Sequence, residues 1–345
     1  MSNQSSACYR WNVVAILTLA YLVSFLERQI LALMVSPIQA DLLLSDTEIS
    51  LLMGVAFSLF YAFMGIPLGR LADRTCRRNI IIIGITFWSI MPAACGLASK
   101  FTHLLIARIG VGAGEASLMP SAISMISDYF SRRERGRAKA FYDMGVSLGT
   151  GIAMVLGGAV ISFVVNSPIV GIPFLGTLNT WQYVFFIISI PGLLVALVVL
   201  LAISEPVRAE TLKTEKTNLS IAFMSRYMRE QLNIYLPVYL ALSLSTLVGY
   251  AYFSWVPTLF VRIFGWSMPE IGYAFGLIVL IAGPWGVILC GWLIDKLYRE
   301  GILDASLRIA LSGSVLTLPS LVALPLAPNA EWALIIIALT SLEAP

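Results

Sequence analysis

The 345-residue chain is 59% hydrophobic and 12% charged, with a formal charge of +3 and a mean hydropathy of +0.87. A soluble domain holds about 45–50% apolar and about 25% charged residues, so a water-soluble globular protein is excluded. Its basic residues sit in short clusters between apolar runs, the distribution that membrane insertion produces, which sets nucleic acid aside as a partner.

About 20 apolar residues cross about 30 Å of hydrocarbon. Taken in chain order, segments of that kind lie at about 11–36, 49–69, 80–99, 103–127, 140–165 and 181–203, then at 232–261, 270–294 and 307–327. A tenth begins near Trp332 and runs only as far as Pro345. The first run exceeds signal-peptide length and contains Glu27 and Arg28, so it reads as a retained span. An all-α membrane protein is the expected class. Cys8, Cys76, Cys95 and Cys290 are scattered singly, so neither a disulfide framework nor a metal site is expected.

Orientation follows from the basic residues. Arg74, Arg77 and Arg78 follow segment two, Arg132, Arg133, Arg135 and Arg137 follow four, Arg208, Lys213 and Lys216 follow six, and Lys296 and Arg299 follow eight. The positive-inside rule makes these loops cytoplasmic, places the amino terminus inside, and makes 204–231 a cytoplasmic linker between halves at 1–203 and 232–345.

An internal repeat supports that division. A shift of 222 positions sets Ser45, Glu48, Ile49, Gly54, Ile66, Gly69, Leu71, Asp73 and Arg77 on Ser267, Glu270, Ile271, Gly276, Ile288, Gly291, Leu293, Asp295 and Arg299, with Arg74 on Lys296. Both copies run in the same direction, so the halves are parallel repeats of six spans each. A complete second half would reach about residue 425, so the second repeat is expected to be incomplete, with about nine spans and part of a tenth.

Charges inside apolar spans cost several kcal/mol each unless paired or hydrated. Glu27 and Arg28 in the first segment and Arg108 and Glu115 in the fourth form such a set. Arg108 and Glu115 stand about 10 Å apart along one helical face, able to bracket a group from segment one. Either an Arg28–Glu115 or a Glu27–Arg108 pair satisfies the pattern. Protonation of Glu115 would free an arginine for an anionic headgroup, coupling proton to substrate. Tyr21, Phe25, Phe57, Tyr61, Tyr250, Tyr252 and Trp255 are candidate linings of an amphipathic pocket. His103, the single histidine, falls at the outer end of segment four, away from this set. Gly145-Val146-Ser147-Leu148-Gly149 matches a nucleophile-elbow pattern but lies within a helix, so no enzyme is expected.

The run from Gly69 to Arg78, Gly-Arg-Leu-Ala-Asp-Arg-Thr-Cys-Arg-Arg, resembles the signature loop between the second and third helices of the major facilitator superfamily. Gly69 suits close helix approach, and Asp73, Arg74, Arg77 and Arg78 supply the charges, with Asp128 as a candidate partner for Arg77 or Arg78. Gly291, Asp295, Lys296 and Arg299 form its second copy. The stretch Arg108 to Ser117 is similar to the superfamily's fourth-helix motif, and its Gly114-Glu115-Ala116-Ser117 ending, with Glu27-Arg28, resembles the spinster-like branch, although Glu27 stands where that branch has Asp. Segment five is similar to the antiporter-type motif in its glycines, with Thr150 where Pro is usual.

This resemblance implies two six-helix repeats, a loop that latches one state of an alternating-access cycle, and a proton-coupled secondary transporter for an amphipathic or lipid-like anion of the lysophospholipid or sphingolipid type. It implies a monomer in a bacterial inner membrane, with membrane lipids around it, protons as the coupling ion and no other cofactor. A carrier of a small organic anion or drug is the second expectation, and a non-transporting scaffold or fragment the third.

Overall fold

The structure, a computed structural model, describes residues 6–131, 134–166, 178–208 and 221–343, apart from the side chains of Ser147, 221–225, Asp295 and Glu343. Arg132, Arg133, Lys213 and Lys216 lie outside the described residues. Every regular element among the described residues is a helix.

In chain order these are α1 (Ala7–Leu33), α2 (Val35–Leu42), α3 (Asp46–Met53), α4 (Val55–Arg74), α5 (Arg77–Gly96), α6 (Phe101–Glu115), α7 (Leu118–Tyr129), α8 (Arg135–Asn166), α9 (Thr180–Ala202), α10 (Ile221–Glu230), α11 (Leu232–Phe264), α12 (Met268–Arg299), α13 (Ala305–Ala323) and α14 (Ala330–Glu343). With α3–α4 and α6–α7 each counted as one interrupted span, nine are long and apolar enough to cross a membrane among the described residues. The two interruptions were not expected from sequence. Gly54 breaks the second span, and Ala116–Ser117 breaks the fourth immediately after Glu115. The stretch read as linker contains α10, which the apolar pattern missed because the helix is short and amphipathic.

Tertiary bonds identify the two faces. Tyr9 donates to the Ala202 carbonyl, Arg10 to the Tyr129 carbonyl and Arg77 to Glu205, so the ends of α1, α5, α7 and α9 meet at an amino-terminal face. At the opposite face Trp181 donates to Asp41 at 2.9 Å and Gln182 to the Ala98 carbonyl at 3.4 Å.

The repeat has a physical counterpart. Ser45 and Glu48 exchange hydrogen bonds that cap α3, and Ser267 and Glu270 make the same reciprocal capping box on α12. Both capped spans start at the opposite face and end at the amino-terminal face. They differ at the shared glycine, because Gly54 ends α3 whereas Gly276 lies inside a continuous α12 against α8.

Helix α8 is the centre of the packing and uses its glycines on two sides. Gly145, Gly149 and Gly157 meet Thr18, Leu22 and Ile30 of α1, while Gly151 and Gly158 meet α12. A Cβ on Gly151 would fall 3.0 Å from the Gly276 carbonyl oxygen, and one on Gly276 would fall 2.8 Å from that of Gly151. Gly272 repeats the contact against Met154 and Gly158 one turn nearer the opposite face. Backbone therefore touches backbone along this crossing. Gly69, expected to serve close approach, does not: a Cβ there would reach only ordinary contact with Pro120 at 3.8 Å, and at Gly291 of the second copy nothing lies within 4 Å of one.

Replacing Gly276 with Leu should lower the melting temperature in detergent by forcing α8 from α12, an overpacking cost of about 1–3 kcal/mol. The same change at Gly283, where a Cβ would have no neighbour within 4 Å, should leave it unchanged.

Candidate functional site

Two apolar cores lie along the bundle, one within the first six spans and one shared with the later helices. One, holding Val13 to Val23 with Met125, Tyr142 and Val199, lies toward the amino-terminal face, and the other, from Leu26 to Ile38 with Leu104, Trp181 and Phe275, lies toward the opposite face. The buried charges occupy the level between them.

Arg28 pairs through Nη2 with Oε2 of Glu115, and its Nη1 donates to the Tyr250 hydroxyl of α11 at 2.6 Å. Its guanidinium lies 4.3 Å from the Phe57 ring centre, 4.7 Å from that of Phe25 and 5.6 Å from that of Tyr61, within cation–π range. Gly112 makes this possible, because a Cβ there would strike the Phe57 carbonyl at 2.4 Å and push α4 away. Tyr21 stacks on Tyr142 of α8 with ring centres 4.8 Å apart and meets Phe25 edge-on. Tyr21, Phe25, Phe57, Tyr61 and Tyr250 thus surround Arg28 or adjoin its collar.

Of the two pairings left open by the sequence, Arg28–Glu115 forms and Glu27–Arg108 does not. Arg108 instead donates Nε to the Leu52 carbonyl at 3.3 Å, with Nη2 unpartnered. Glu27, fully buried, turns away from Arg28 and accepts the Ser89 hydroxyl of α5 at 3.1 Å. Gly192 of α9 opens the notch that receives them, since a Cβ there would lie 2.5 Å from Glu27 Oε1. Glu115 Oε1 and Arg28 Nε also lack partners. The site therefore holds unspent donor capacity on both arginines beside an unspent acceptor, the composition a bound anion or a proton can complete.

Trp255 and Tyr252 stand elsewhere. The Trp255 ring lies 5.9 Å from Arg262, and Tyr252 packs on Phe253 and Phe275. Arg262 grips Asp46 with two bonds of 2.6 and 2.9 Å and Gln39 with one of 2.9 Å, joining α11 to the α2–α3 corner at the opposite face. Tyr252, two residues from Tyr250, leaves the opposite side of α11, and Trp255 lies more than a turn further along it. His103 also lies at the opposite-face end, beside Ser99.

At the amino-terminal face Arg77 is buried and fully engaged. It bonds Asp128 at 2.5 Å, the Ser124 hydroxyl at 2.9 Å, Glu205 at 2.8 Å and the Pro206 carbonyl at 3.3 Å. Arg78 gives its backbone N–H to Glu205 and its guanidinium to the Leu200 carbonyl. Arg208 caps the end of α4 through the carbonyls of Ala72, Asp73 and Thr75. Arg77, not Arg78, is thus the partner of Asp128. Sequence reading missed Glu205 and Arg208, whose signal is the Ser204-Glu205-Pro206-Val207-Arg208 run directly after the sixth span. Asp73 and Arg74 are exposed, as are Lys296 and Arg299 of the second copy, where the Lys296 ammonium lies 5.6 Å from the Trp292 ring. The Asp295 side chain lies outside the described residues.

Burial pushes the Glu205 carboxyl up, but hydrogen bonds from Arg78 N–H and the Arg77 guanidinium outweigh it and hold it below the usual range. Its clamp is therefore complete above about pH 4.3, the ordinary glutamate value, and is lost as pH falls through the lower native value. Acidification below about pH 4 should lower the melting temperature of the native chain and lower that of Glu205→Gln less. Arg77→Ala, which takes a buried guanidinium from Asp128 and Glu205, should lower the melting temperature at pH 7 by the equivalent of about 3 kcal/mol.

Comparison with known proteins adds lineage to this geometry. The family model described as Major Facilitator Superfamily matches residues 17–344. A crystal structure of a bacterial homolog to the human lysosomal transporter Spinster, in an inward-facing and unoccupied conformation, is 32% identical with a TM-score of 0.79, over 98% of this chain and 74% of that one. The probable L-galactonate transporter of Escherichia coli (strain K12) is 36% identical over 138 residues, 40% of this chain and 30% of that protein. Protein spinster homolog 1 of Xenopus tropicalis is 30% identical over 204 residues, 58% of this chain and 36% of that protein. The chain thus spans less than two thirds of the length of these curated relatives. It belongs to the major facilitator superfamily, and within it is similar to the spinster homologues.

Proposed function

We propose that this chain works as a proton-coupled secondary carrier for an organic anion, by alternating access, in a bacterial inner membrane with its amino-terminal face in the cytoplasm. The observation that carries this reading is the buried Arg28, shared between Glu115 of the first six spans and Tyr250 of α11. One cation here can neutralise one anion. A substrate carboxylate or phosphate on Arg28 displaces Glu115, which takes a proton to avoid standing as an unpaired buried charge. Loss of the substrate restores the ion pair and releases the proton. Both resting conditions leave the layer equally charged, which couples the two fluxes.

Alternating access is supported by asymmetry between the faces. The opposite face is shut by the α8–α12 glycine crossing and the Arg262–Asp46 bonds, both of which join the first six spans to the later ones. At the amino-terminal face the bonds of Arg77 and Glu205 run to residues of the first 208. Opening one face and closing the other would carry Tyr250 relative to Arg28, so occupancy of Arg28 bears on the exchange between states.

The aromatic collar favours an amphipathic anion, its headgroup on Arg28 and its apolar part on Phe25, Phe57 and Tyr61. A second reading, a hydroxylated carboxylate of the sugar-acid class, is favoured by the likeness to a galactonate transporter and by the hydroxyls of Tyr21, Tyr61 and Tyr250.

Proteoliposomes with an imposed pH gradient, offered a lysophospholipid or an aldonate, test both. Arg28→Ala should cut uptake at least 100-fold, since the anion loses the guanidinium around which the collar is built. Glu115→Gln should keep binding yet flatten the dependence of uptake on pH. An unchanged pH profile in Glu115→Gln removes that residue from the coupling role.

A further inference from the structure

Serine and threonine inside helices of this bundle usually return their hydroxyl to a carbonyl one turn back, as Thr18, Thr86, Thr150, Thr246, Thr340 and Ser341 do. Ser117 and Ser121 do not. They are 2% and 0% exposed, and neither hydroxyl has a protein partner. An unpaired buried hydroxyl costs about 1–3 kcal/mol, and such groups are normally bonded to protein or to internal water.

Their position is not random. Ser117 Oγ is aimed at α5, where only a glycine fits: a Cβ on Gly84 would fall 1.8 Å from it. Further along α7, Ser124 and Asp128 face the same helix through Arg77. Ser117, Ser121, Ser124 and Asp128 follow one another at intervals of four, three and four residues, which places them on one face of α7. Gly84 and Arg77 of the antiparallel α5 mark the two ends of that face. Two residues before Ser117 stands Glu115 with Oε1 unpaired, and on α5 beside Gly114 stands Trp88 with its buried Nε1 unpaired. Polar atoms therefore line the α5–α7 seam for about 16 Å, from the Arg28–Glu115 layer to the Arg77–Asp128–Glu205 cluster.

We propose that the α5–α7 seam holds a file of internal water that conducts protons between Glu115 and the amino-terminal face. The hydroxyls of Ser117, Ser121 and Ser124 follow one another by about one helical turn, about 5–6 Å or twice a hydrogen bond, and one water closes each of those two gaps, while Arg77 Nη1 spans Ser124 and Asp128 directly. A proton entering from solvent at the half-buried Ser124 passes from oxygen to oxygen, each accepting one and donating another, and ends on a Glu115 oxygen. O–H bonds made and broken are equal in number, and no electrons change carrier. Arg28 and Arg108 at the inner end repel free hydronium, whereas at the face Arg77 stands between Asp128 and Glu205 and Arg10 is paired with Glu134. Net transfer is thus by hopping, from water at the face to the Glu115 carboxyl. The path deepens the proton-coupled reading above and rests on it.

The test uses the full chain with its four natural cysteines changed to Ala, in inside-out membrane vesicles. Ser117→Cys, Ser121→Cys and, as a dry control, Ala122→Cys, which is 0% exposed on the neighbouring side of α7, are treated with a small water-soluble methanethiosulfonate. Labelling at least 10-fold faster at 121 than at 122 is expected; equal rates overturn the water file whatever the chain transports. Should a cysteine variant not fold, Ser117→Ala and Ser121→Ala decide. Each should slow pH-gradient-driven uptake several-fold while leaving substrate exchange at equal pH unchanged, and equal effects on both assays overturn the proposal. A native chain with no pH-driven uptake but fast labelling at 121 would sink the carrier reading and leave a hydrated seam.

Discussion

A guanidinium in a hydrocarbon layer must be neutralised locally, and the rest of this bundle is arranged around that requirement. Arg28 sits where the two apolar cores meet, so neither core has to absorb it. Rings supply the faces of its plane, Glu115 the charge, and Tyr250 a neutral oxygen from the other side of the molecule. Each neighbouring glycine has a task set by that centre: Gly112 brings α4 inward, and Gly192 receives Glu27. The result is a layer whose charge is balanced but whose hydrogen bonds are incomplete. Buried polar networks of this kind rarely persist for stability alone, because apolar residues of similar volume would serve it as well or better.

Much of this was legible in the sequence. Segment lengths and basic loops carry nine spans, because hydrocarbon thickness and backbone satisfaction leave few alternatives. The repeat was visible as the paired Ser45/Glu48 and Ser267/Glu270, and it returns as identical caps. Four charged residues had to face a cavity or each other, since hydrocarbon offers them nowhere else, and of these Arg28 and Glu115 pair. What the sequence withheld was direction. Neighbours on a helix diverge, so nothing local could say that Arg28 would take Glu115 while Glu27 turned to Ser89. Trp255 has the same composition signal as Phe57, and only its place along α11 sends it to Arg262. Glu205 and Arg208 were hidden because a polar run after a span looks like any linker until its partners are seen.

The two ends of the molecule use different chemistry. At the amino-terminal face a short segment after α9 is tied down by arginines bonded to carboxylates and carbonyls, contacts that depend on charge and water. Across the opposite face the main closure is peptide backbone pressed on peptide backbone, with Arg262 and Asp46 beside it. Charged clamps tighten or loosen with pH and salt; glycine crossings respond to neither.

That crossing bears on the membrane's stored voltage. A closure made of long side chains leaves crevices that fluctuate with every rotamer, and a sodium ion or hydronium needs little room to slip through. At Gly151 and Gly276 there are no rotamers to fluctuate, and the two main chains lie too near for a water molecule to pass between them. Along this crossing, the tightness of the contact does not depend on which rotamer any side chain adopts.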